Sequence, residues 1–202
     1  MHPILEYWKR FKTELLSALN QEETALADAW SSSTKRTQFY RDCLLRKVAT
    51  ALDLELKPEL FRRDFAMRVK ATNGRMVPVI FIESENQAGT ADYEIEKLCA
   101  VCAPLRVLIT VTTWDESPGI WPRGGYKTAY SARWREIIKA HGEVWPQPGI
   151  IGVLVGEWRE KTLKFYAFAF DPLGNVCDPE TVFFQRDMGR QAPPTEEGGL
   201  PE

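Results

Sequence analysis

Histidine is nearly absent from this chain: His2 and His141 are the only two in 202 residues. Catalysis by a histidine base, or a metal bound by imidazoles, is therefore poorly supplied. Four cysteines are too few to staple a chain of this length, so no disulfide scaffold is expected. Cys99-Ala100-Val101-Cys102 has redox or zinc spacing, but no second such pair and no histidine pair accompanies it. It also falls at the end of an expected helix rather than at its N-terminus, where the dipole would lower a thiol pKa. These two cysteines read as buried apolar residues. Long apolar runs are missing too, and none approaches the ~18–20 residues of a membrane span. Met1 to Arg10 carries charges inside its apolar part and does not read as a signal peptide. Excess charge of either sign is lacking: 26 Lys and Arg stand against 28 Asp and Glu, for a net −2. That balance excludes a general pull toward nucleic acid or membrane, so a polyanion would have to meet a local basic patch. A cytoplasmic protein with reduced thiols and no membrane partner is the expectation.

What is present is the composition of a globular protein, 44% hydrophobic and 27% charged. One α/β domain over residues 1–185 and a disordered tail over 186–202 are expected, the tail from Pro193-Pro194, Glu196-Glu197 and Gly198-Gly199. Ile4 to Leu19 reads as an amphipathic helix on Trp8, Phe11, Leu15 and Leu19. Thr24 to Trp30 is a short helical piece. Ser31 to Thr34 supplies an N-cap for a helix over Lys35 to Leu52. Leu54 to Lys57 alternates as a short strand ended by Pro58, and Arg62 to Val69 is a better strand. Tyr126 to His141 has helical period. His141 stands at its C-terminus, where a cationic side chain suits the dipole. Ile150 to Trp158 and Thr162 to Phe170 form an expected final hairpin.

The organising stretch is Met76 to Thr112. The apolar, β-branched run Met76 to Ile82 reads as a strand buried on both faces, and it changes at once into Glu83-Ser84-Glu85-Asn86. A helix over Asp92 to Cys102 and a second apolar strand, Leu105 to Val111, follow. Asn73-Gly74 is a strong hairpin signal and pairs the strand around Asp64 with the one ending at Glu83. Glu83 and Glu85, two residues apart on a strand, share a face. Asp64 lies as far from the turn as Glu83, so the three carboxylates can converge. Three oxygen donors without thiolate or imidazole suit a hard cation, Mg²⁺ or Mn²⁺. A plainer account of the same residues is a solvated strand end, with Asp64 paired to Arg62 or Arg68.

Helix, antiparallel strands, Asp on one strand, Glu-x-Glu at the end of the next, helix, strand: this order over residues 35–112 resembles the PD-(D/E)XK nuclease superfamily. The resemblance implies a restriction-endonuclease-like αβββαβ core, a mixed sheet flanked by helices, extended here by N-terminal helices and a C-terminal helix plus hairpin. It implies a divalent-metal-dependent nuclease acting on DNA. Asp64 would match the family's metal-binding Asp and Glu83 its second acidic residue. Glu85 stands where the family usually has Lys. In some members that Lys lies on the following helix, for which Lys97 is the candidate. Glu94 or Lys97 would face the sheet end if the helix begins near Ala91. Arg63 stands where the family often has Pro. The other reading implied is a catalytically inactive nuclease-fold protein that binds a partner or nucleic acid.

The loop Trp121 to Lys127 mixes aromatic, basic and flexible residues, as a nucleic-acid contact would. Arg123, Lys127 and Arg133 are its candidate phosphate contacts, with an ordinary loop and solvated helix face as the alternative. The low net charge points to a homodimer or a partner protein where DNA is bound tightly.

Overall fold

The computed structural model describes residues 3–114 and 126–189. A helical layer comes first: α1 (Pro3–Gln21), α2 (Glu23–Ala29), α3 (Ser33–Phe39) and α4 (Leu45–Ala51). The Ser32 hydroxyl accepts from the Lys35 amide at 3.3 Å and caps α3. A π-helical turn, Tyr40–Leu44, joins α3 to α4. Its extra residue rotates the following face, so Tyr40, Leu45 and Ala49 are buried as well as Leu44, Val48 and Leu52, while Cys43 is only half-buried.

The strands β1 (Glu55–Leu60), β2 (Arg63–Lys70), β3 (Met76–Glu85), β4 (Leu105–Val111), β5 (Ile150–Arg159), β6 (Thr162–Phe170) and β7 (Val176–Asp187) form one sheet in chain order. Helix α5 (Ala91–Cys99) joins β3 to β4, and α6 (Tyr126–Val144) lies between β4 and β5. The pairs β3–β4 and β4–β5 are parallel, and the outer pairs are antiparallel. Parallel neighbours need a crossover, and a helix serves well. The mixed α/β sheet flanked by helices is therefore as expected.

The sheet is covered on both faces. Leu105, Val107 and Ile109 of β4 join the core under α1 to α4, whereas Leu108 joins the core under α5 and α6. Close approach of α1 depends on Gly152 of β5. A Cβ there would lie 2.4 Å from Trp8 Cζ3, so any side chain would push the indole out.

Two strand assignments differ from expectation. β1 continues through Pro58, which pairs with Phe65, because β1 is a sheet edge and its missing N–H costs no ladder bond on the open side. β7 was not foreseen, and residues 186–187 expected in the tail belong to it. Asp178, Pro179 and Glu180 break its apolar pattern, and as the other edge strand it fully buries only Phe184. The rest of the tail, 190–202, lies outside the described residues. No described helix is long and apolar enough to cross a membrane.

Candidate active site

The β2–β3 hairpin decides which residues meet. Its loop is one residue longer than a two-residue Asn-Gly turn. The Gly74 amide donates to the Ala71 carbonyl, the Ala71 amide donates to the Arg75 carbonyl, and Gly74 takes φ +81°. This is a turn followed by a left-handed residue, the position that favours glycine. On that loop alone Asp64 would face Ile82. The register then shifts by one, from Arg68 opposite Pro78 to Met67 opposite Ile80, leaving Val79 as a bulge on β3. Phe65 thereby pairs with Ile82, and the next positions, Asp64 and Glu83, stand across from each other on the α5 side of the sheet.

The two carboxylates are tied by reciprocal contacts. The Ser84 amide donates to Asp64 Oδ2 at 2.8 Å, and the Asp64 amide donates to Glu83 Oε2 at 3.3 Å. Glu83 is fully buried. From α5, Lys97 Nζ reaches Glu83 Oε2 at 2.9 Å and Glu94 Oε2 at 2.5 Å. Arg63 Nε stands 3.4 Å from Glu83 Oε1, and its Nη2 donates to the Lys97 carbonyl at 2.8 Å, which fixes β2 to α5. Helix α5 starts at Ala91, the condition under which Glu94 and Lys97 face the sheet end.

Acid outweighs base in this cluster, and the titration behaviour follows. Burial raises the Glu83 pKa; the Lys97 hydrogen bond opposes it, repulsion from Asp64 adds to it, and the result is about 7. Burial also raises Asp64, against the Ser84 amide bond that favours its anion. Burial works against the Lys97 charge, but its bonds to Glu83 and Glu94 outweigh that and hold its pKa above the usual lysine value. Near neutral pH the cluster holds a charged lysine beside a carboxyl that is still titrating.

Of the foreseen residues, Asp64, Glu83 and Lys97 come together. Glu85 shares the strand face but turns to its own chain: its Oε1 accepts from the Gln87 amide at 3.0 Å. Among the described residues no hydrogen bond or ion pair joins it to the other three. Arg68, one expected counter-ion of Asp64, pairs with Glu55 instead. Arg63 and Glu94 complete the cluster. Glu94 was legible from the helix register, whereas nothing in the sequence marks Arg63 as a contact of Glu83. Of the three candidate phosphate contacts, Arg123 lies outside the described residues. Lys127 is paired with Glu180 at 2.7 Å and Arg133 with Asp92, so both cations already have acidic partners.

The donor set fits a hard divalent ion. Glu83 Oε1 is buried and accepts no hydrogen bond, with the Arg63 cation beside it at 3.4 Å, and Asp64 Oδ1 has no donor among the described residues. Mg²⁺ usually takes one or two carboxylates and completes its shell with waters and substrate phosphates. Among the described residues, no group of three or more His, Cys, Asp or Glu side chains is placed to enclose an ion.

Beside the cluster the β1–β2 turn is strained. Phe61 and Arg62 take φ +52° and +59°, and Glu59 takes +54°. Left-handed φ costs L-residues other than Gly, Asn and Asp on the order of 1–2 kcal/mol each. Cys99 is buried at the end of α5 with its thiol pushed up to about 11 by burial, as suits an apolar role, while Cys102 is exposed. No protein-family model matches the chain, and no curated protein sequence is significantly similar to it.

Proposed function

We propose that this protein is a divalent-metal-dependent nuclease that hydrolyses phosphodiester bonds, with DNA as substrate and a restriction-endonuclease-like core. The observation that carries this reading is the meeting of Asp64 and Glu83 at adjacent strand ends with Lys97, 2.9 Å from Glu83, arriving from the following helix. The element order supports it: a helix, three antiparallel strands, a helix and a parallel strand occupy residues 33–111.

Asp64 and Glu83 would hold Mg²⁺ or Mn²⁺ through the oxygens that lack donors. Such an ion, when bound, lowers the pKa of a coordinated water and stabilises charge on the phosphodiester. Lys97 keeps its proton between two carboxylates and is suited to orient an attacking water or the scissile phosphate. Arg63 positions Lys97 through its backbone carbonyl. The site sits at the carboxyl end of β3, which is parallel to β4, where open α/β sheets commonly receive ligands.

One observation favours a second reading. Lys97 and Arg63 both stand against Glu83 and offset its charge, as they would in a nuclease fold retained only for binding a partner or nucleic acid. Plasmid nicking separates the two. Wild type should nick with millimolar Mg²⁺ or Mn²⁺, and Glu83→Ala and Lys97→Ala should lose the activity. A folded wild type that leaves both the plasmid and single-stranded DNA intact with either ion, and binds DNA, would establish the second reading.

A further inference from the structure

Two exposed aromatic rings neighbour the carboxylate–lysine cluster. Phe61 is 69% exposed, at the tip of the β1–β2 turn, and its ring lies 6.5 Å from that of Phe81, two residues before Glu83 on the same strand face. Tyr93 is 65% exposed on α5, with Lys97 Nζ 5.8 Å from its ring centre. Phenylalanine on an exposed turn gains nothing from burial, and here it sits in a left-handed conformation that glycine or asparagine would adopt more easily. The neighbouring Arg62 is exposed, and among the described residues its guanidinium has no hydrogen-bond or ion-pair partner. Lys57, on the preceding strand β1, is exposed and among the described residues equally unpaired. On α6, Lys127 and Arg133 are already matched by acids, while Arg135 is exposed. Positive charge free to meet a phosphate backbone is thus found at this turn, beside Glu59.

Resting on the nuclease reading, we propose that the site takes an unpaired stretch of DNA, its bases stacked on Phe61 and Tyr93 and its backbone met by Arg62. Every base has a π-face, so such stacking binds single strands without regard to sequence. A paired duplex keeps its bases stacked on one another and cannot use the rings.

The test is fluorescence anisotropy with the full chain in EDTA, where no cleavage occurs. The probes are a labelled oligothymidine of about a dozen nucleotides and a duplex of the same length. The single strand should bind about tenfold tighter than the duplex or better. Phe61→Ala and Tyr93→Ala should each weaken it roughly 5- to 150-fold, with duplex binding unchanged. Phe61→Trp should keep the affinity. Both rings are exposed, so the variants should fold as wild type does, checked by circular dichroism. Equal affinity for the two probes, or alanine variants that hold the single strand as wild type does, would overturn the inference. If such variants still nick plasmid, the nuclease reading stands without it. Single-strand binding lost in both alanine variants, in a protein that cleaves nothing with Mg²⁺ or Mn²⁺, would support the stacking surface and remove the nuclease.

Discussion

Replacing Glu83 by glutamine should stabilise the protein in alkaline solution and leave it unchanged in acid. Glu83 is fully buried and its pKa is raised from 4.5 to about 7 by burial. In the unfolded chain the carboxyl gives up its proton near pH 4.5, while in the folded protein it keeps it until about pH 7. Between those values the folded state binds more protons, so stability falls as pH rises. With each pKa unit equivalent to about 1.4 kcal/mol, the loss attributable to this group is about 3 kcal/mol by pH 8. Glutamine has the shape of the protonated form and cannot ionise, so the variant should escape that loss. For a chain of this size 1 kcal/mol shifts Tm by about 2–4 °C, so the variant should melt some 6–12 °C higher at pH 8. Urea unfolding at pH 4 and pH 8 with EDTA present measures the difference directly. A gain of equal size at both pH values, or none at pH 8, would refute the argument that the buried carboxylate destabilises the fold it serves.

Lys97→Met removes the ammonium that offsets Glu83; because Glu83, with its pKa about 7, can take up a proton instead, stability should fall by about 1 kcal/mol at pH 8, and urea titration at pH 8 against pH 5 should show the loss only at the higher pH. Gly152→Ala places a Cβ 2.4 Å from Trp8 Cζ3, and an overpacking cost of about 1–3 kcal/mol should appear in thermal melts, relieved in part by shortening Trp8. Thiol labelling at pH 8 should modify exposed Cys102 first, whereas Cys99 and Cys177, both raised by burial to about 11, should react only as the protein unfolds.

The parts of the fold that could be read from residues alone are those where one interaction dominates. The apolar run Met76 to Ile82 and the near-continuous apolar runs of β5 and β6 leave few other homes for those side chains. Asn73-Gly74 located the hairpin, and the match of Asp64 with Glu83 also held, though by compensation. The three-residue loop would have set the register one residue off, and the Val79 bulge restores it. No local pattern announces that bulge. β7 escaped notice because an edge strand buries little and tolerates Pro179. Helical periodicity from Ala91 sufficed to bring Lys97 to the sheet end. Strand parity gave Glu85 the right face but could not foresee that its carboxylate would bond the Gln87 amide. Arg63 was hidden for a similar reason, since its partners lie on β3 and α5 and no spacing relates them.

Calorimetric titration of Mn²⁺ bears most directly on the claim that Asp64 and Glu83 are a divalent-ion site. Wild type should take up one ion with millimolar affinity or better, more tightly at pH 8 than at pH 6 because Glu83 must shed its proton. Asp64→Asn and Glu83→Gln should each abolish the heat while remaining folded. Unchanged binding in both variants, or none in wild type at any pH between 6 and 8 with DNA present, would contradict the claim.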